Sequence, residues 1–101
     1  MNVVTITGRL VSEPARIETS RGVKATFRLA VDGRPRLWID IDTWGHLAGI
    51  CATHLTKSRH VAVTGRLECD EWNDRDGQHR NRWHINADRV SFLGNGRDDQ
   101  P

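Results

Sequence analysis

Residues 37–45, LWIDIDTWG, alternate without a break. Leu37, Ile39 and Ile41, continued by Thr43, form one row, and Trp38, Asp40, Asp42 and Trp44 form the other. Successive side chains of a strand point to opposite faces, so the pattern predicts a half-buried β-strand. Two indoles stand at the ends of the row that should face water. Large aromatic side chains on a wet face need a cause.

The rest of the chain reads as scaffold for that face. Residues 3–10 form a first strand, with Val4, Ile6, Gly8 and Leu10 in one phase. Pro14 interrupts it, and residues 16–19 read as a short continuation before a turn at Ser20, Arg21 and Gly22. Val23, Ala25, Phe27, Leu29 and Val31 make the inward row of a second strand; Lys24, Thr26 and Arg28 point outward. Asp32-Gly33, with Pro35 after it, is a hairpin signal leading into the tryptophan strand. Arg34 and Arg36 fall in the phase of Trp38.

Residues 46–55 predict the one helix. Leu47, Ile50, Cys51 and Leu55 recur at helical spacing, as a core plug would. A fourth strand carries Val61, Val63, Gly65, Leu67 and Cys69 inward, and Arg66, Glu68, Asp70 and Trp72 outward. A polar turn at residues 73–78 returns the chain to a fifth strand. Trp83, Ile85 and Ala87 lie on its inward row, and Val90, Phe92 and Leu93 close the core. Five strands in long hairpins, with one helix between the third and fourth, point to an all-β five-stranded oligonucleotide/oligosaccharide-binding (OB-fold) barrel.

A length of 101 residues suits one domain with a thin core, expected over residues 1–94, with a flexible segment at 95–101. No apolar run reaches membrane-spanning length, and the N-terminus has no basic cap before an apolar block, so the expected location is cytoplasmic. Cys51 and Cys69 have no CxxC spacing and read as small buried residues. His79 and His84 are poorly spaced as ligands, so neither metal nor cofactor is expected. No nucleophile, base and orienting group recur at catalytic spacing. A net charge of +2 is too small to mark a nucleic-acid binder by itself. The cations are arginine except for Lys24 and Lys57, and arginine suits phosphate forks and stacking on base planes.

Four segments, in order, resemble bacterial-type single-stranded DNA-binding proteins: MNVVTITGRL, GVKATFRLAVD, WIDIDTWGHLA, and HVAVTGRL followed by Trp72, Asp-Gly-Gln and ADRVSFLG. The resemblance covers residues 1–94. It implies non-catalytic, largely sequence-independent binding of single-stranded DNA in replication, recombination or repair, in association with the nucleoid. It also implies a homo-oligomer, most often a tetramer, and replication or repair proteins as partners. Trp38, Trp44 and Trp72 fall at the family's stacking aromatics, and Lys57 falls in its basic loop after the helix. Lys24, Arg28, Arg36 and Arg66 are the further candidates for phosphate contacts.

The sequence departs from the family at Asp40 and Asp42, between the indoles, and at Glu68, Asp70 and Glu71, where basic residues are usual. Carboxylates beside a phosphate path oppose binding. They favour the alternative of an OB-fold protein-interaction module with weak or no DNA affinity. Arg36 with Asp40, and Arg66 with Glu68, are alternatively surface ion pairs of small worth. Trp83, on the inward row, is read as core or interface.

Overall fold

The computed structural model describes residues 1–94; the expected flexible segment at 95–101 lies outside the described residues. Six strands and one helix follow in the order β1 (Val4–Leu10), β2 (Ala15–Thr19), β3 (Gly22–Val31), β4 (Leu37–Trp44), α1 (Gly45–His54), β5 (His60–Asn73) and β6 (His79–Phe92). Five of the strands close a ring. β1 pairs antiparallel with β3 and β5, β5 with β6, and β3 with β4, while β4 meets β6 in parallel. This ring is the expected five-stranded barrel, with α1 between its third and fourth members in chain order.

The sixth strand, β2, is the continuation expected after Pro14. β1 runs along β3 from Gly8 to Leu10, leaves it over residues 11–14, and resumes beside it as β2. At Gly8 the chain passes so close to β3 that a Cβ would meet the carbonyl of Ala30. Gly65 makes a second close approach. It faces the shift in β5–β6 register, where Thr64 pairs with Arg89 but Gly65 with Ala87, and a Cβ there would meet the carbonyl of Asn86.

The inward rows fill the ring with Leu10, Phe27, Leu29, Ile41, Val61, Val63 and Ile85, each at most 2% exposed. The helix plugs this core through Ala48 and Cys51, and Leu55, just past its end, is buried with them. Ile50 corrects the expected stripe. It stands one residue, roughly 100° of helical rotation, from Cys51 and is exposed. Arg34 and Arg36 also fall before β4 begins, in the loop that Gly33 opens with φ +105°.

β4 pairs with β6 only from Asp40 to Asp42, opposite His84 to Asn86. Beyond Glu68 and His84, β5 and β6 therefore continue as a two-stranded arm, with no third strand beside it among the described residues. Inward phase loses its meaning from the base of this arm outward. Leu67, expected in the interior, is 39% exposed; Trp83, read as core or interface, is 54% exposed and so is not core; Phe92 at the far end of β6 is exposed too. Cys69 is only half-buried. Asp74 sets the turn of the arm: its carboxylate accepts the backbone N–H groups of Asp76 and Gln78 (both 2.9 Å) and Nε of Arg80 (2.9 Å).

Candidate nucleic-acid interface

The registers of β3, β4, β6 and β5 place their outward rows on one continuous face. Arg28, Asp40, His84 and Glu68 form one line across it, and Thr26, Asp42, Asn86 and Arg66 form the next. Trp38 and Trp44 lie at the two ends of the β4 row. Trp72 belongs to the same face farther along the arm, four residues or about 13 Å beyond Glu68. Trp38 is 53% and Trp72 46% exposed. Trp44 is half-buried, with the Lys24 ammonium 5.4 Å from the centre of its ring.

The two aspartates between the indoles are the floor of this face. Asp42 is 2% exposed. It accepts Nη2 and Nη1 of Arg82 (2.8 and 3.2 Å) and the hydroxyl of Thr26 (3.0 Å), and lies 3.5 Å from Lys24 Nζ. Asp40 accepts Nε of Arg82 (2.9 Å) and Nε of Arg28 (3.2 Å). Burial alone would raise the Asp42 carboxyl, but the Arg82 guanidinium, Thr26 and Lys24 outweigh it and hold the group below its ordinary range. Arg82 is correspondingly raised, chiefly by its hydrogen bonds to Asp42.

This network changes the standing of the candidate cations. Lys24 and Arg28 lie on the face but already meet Asp42 and Asp40. Arg66 meets Glu68 at 3.3 Å, the surface pair foreseen from sequence, whereas Asp40 pairs with Arg28 and Arg82. Arg36 is exposed beside Arg9 in a cleft of about 260 Å³ at the β3–β4 loop. Lys57 is exposed off this face; its backbone N–H is held by Glu13 (2.7 Å). Trp38, Trp44, Trp72, Lys24, Arg28 and Arg66 thus share one face, and Arg36 and Lys57 lie in loops.

Sequence reasoning missed Arg82, His84 and Asn86. The signal was present: Arg80, Arg82, His84 and Asn86 alternate with the inward row of β6. His84 is 4% exposed, between Asp42 and Asp70. Among the described residues, no group of His, Cys, Asp or Glu is arranged to hold a metal ion, and no helix is long and apolar enough to cross a membrane.

The model of the Single-strand binding protein family matches residues 1–93. A single-stranded DNA-binding protein of Caldanaerobacter subterraneus subsp. tengcongensis is 40% identical over 92% of this chain and 68% of its own length. One of Thermosynechococcus vestitus is 32% identical over 100% of this chain and 89% of its own length.

Proposed function

This chain belongs to the single-strand binding protein family, and we propose that it binds single-stranded DNA without catalysis by stacking bases on Trp38, Trp44 and Trp72. The observation that carries this is the exposure of Trp38 and Trp72 on one sheet face with Trp44. Stacking on an indole contributes roughly 1–3 kcal/mol per base and accepts any base, because each has a π-face. Lys24, Arg28 and Arg66 supply charge beside the stack, and Arg36 and Lys57 extend the phosphate path at its margins. Lys24 and Arg28 stay on the face in the apo state because Asp42 and Asp40 hold them there.

Residues 1–94 are the binding unit in this reading. Its setting is replication, recombination or repair in the cytoplasm, on nucleoid DNA, with replication or repair proteins as partners. Self-association into a homo-oligomer, of the tetrameric kind, is supported by Leu67 and Trp83, which project from the base of the arm on the phase opposite Trp72.

Binding of labelled oligo-dT by Trp38→Ala tests the assignment. Affinity is expected to fall by about 1–3 kcal/mol while the oligomeric state is unchanged. Wild-type protein that fails to bind oligo-dT at low salt would instead favour the protein-interaction module. Loss of the oligomer in Trp38→Ala would make this indole an interface residue.

A further inference from the structure

A cavity of about 710 Å³ opens on the same face between Trp44 and the carboxylates of β5. Asp42, His84 and Asn86 form its floor, Glu68 and Asp70 its far wall, and Arg21 and Lys24 stand at the near rim. Its volume lies within the range of small-molecule sites. β4 and β5 are separated by β6, two inter-strand steps or roughly 10 Å, room for a base beside Trp44 with its edge toward β5.

The polar groups around this cavity are unevenly satisfied. Asp42 is saturated at short range by Arg82 and Thr26. Glu68 Oε2 meets Arg66 Nη2 at 3.3 Å, whereas its Oε1 has only long contacts, 3.5 Å from Asn86 Nδ2 and 4.0 Å from His84 Nε2. Asp70 Oδ2 is 3.3 Å from His84 Nε2 and 3.8 Å from Arg82 Nη1. The ring nitrogens of His84 are buried, yet neither makes a hydrogen bond of good geometry, although Nδ1 is 3.1 Å from Asp42. The two carboxylates beside this buried imidazole have spare acceptor capacity and suit a ligand that brings hydrogen-bond donors.

We propose that this cavity is a base-reading subsite that prefers guanine over thymine. The inference rests on the stacking function proposed above and adds selectivity at one position. Guanine presents N1–H and N2–H₂ side by side on one edge, two donors that a single carboxylate of Glu68 or Asp70 accepts together. Thymine presents one N–H between two carbonyl oxygens, which this acidic wall repels. Cytosine and adenine each offer one amino group beside acceptors and fall between. Trp44 bounds the cavity on the other side for the ring to stack against, and Arg21 and Lys24 face the phosphate.

Fluorescence anisotropy compares labelled oligo-dT with a d(TG) repeat of equal length, whose guanines are kept apart by thymines. A shift of one nucleotide always brings a guanine to the cavity. Wild-type protein is expected to bind the d(TG) repeat about fivefold or more tightly than oligo-dT. The double variant Glu68→Gln, Asp70→Asn is expected to lose that preference while retaining oligo-dT binding, which also shows that it folds. Equal wild-type affinities, or a preference that survives in the double variant, would overturn the subsite and leave the stacking function standing. Failure of wild-type protein to bind either strand would overturn both.

Discussion

At the scale of single residues, Asp42 decides the character of the binding face. A carboxylate 2% exposed among tryptophans would be costly without partners, and Arg82, Thr26 and Lys24 provide them. Asp42→Asn leaves Arg82 short of its counter-charge and is expected to lower unfolding stability by about 3 kcal/mol in urea denaturation. The folded carboxyl titrates below its ordinary value of 3.8, so its stabilisation is in full force above that pH and is lost as pH falls through the folded value. The acid limb of a stability–pH profile should therefore be shallower in Asp42→Asn than in wild type; identical acid limbs would show that Asp42 does not couple folding to pH. The burial of Cys51, which pushes its thiol up to about 11, implies that native protein reacts there with a thiol reagent only after opening. The alternation of residues 37–45 announced the tryptophan row, but no local pattern could announce the aspartates' partner. Arg82 is 40 positions from Asp42 and reaches it only because β4 and β6 pair in parallel.

At the scale of elements, β5 and β6 have two halves with different physics. As far as Glu68 and His84 they are barrel staves that carry Val61, Val63 and Ile85 into the core, and from Cys69 and Trp83 outward they are a two-stranded arm. In the dissociated protomer, hydrogen–deuterium exchange is expected to be faster at the amides of Cys69 to Asn73 than at Val61 to Gly65, because the arm is then a hairpin with solvent on both faces. Equal protection would show that the arm is covered, as it would be in an oligomer. Leu67 was misread, and the core half of the reading of Trp83 fails, for the same reason. A period of two gives the phase of a side chain, not the point at which the barrel ends and inward ceases to mean buried. The helix was legible in extent to within a residue. Ile50 was misplaced because an apolar residue at near-helical spacing need not lie on the stripe that meets β3.

At the scale of the whole molecule, the net charge of +2 understates how far the binding face neutralises itself. Lys24, Arg28, Arg66 and Arg82 all have carboxylates within 3.5 Å. Single-strand affinity falls with salt by about 0.7 log units per log unit of salt for each phosphate neutralised, and pre-paired cations release few counterions. Binding should thus lean on stacking more than on charge. The closed ring of five strands and its helix followed from hairpin and helix signals in the sequence; this internal compensation did not, since it depends on registers between four strands. Intrinsic tryptophan fluorescence, titrated with oligo-dT at low and at high salt, tests stacking most directly. Strong quenching at low salt that persists at high salt, with only a modest loss of affinity, is the expected result. Binding with unchanged tryptophan emission at low salt would contradict it.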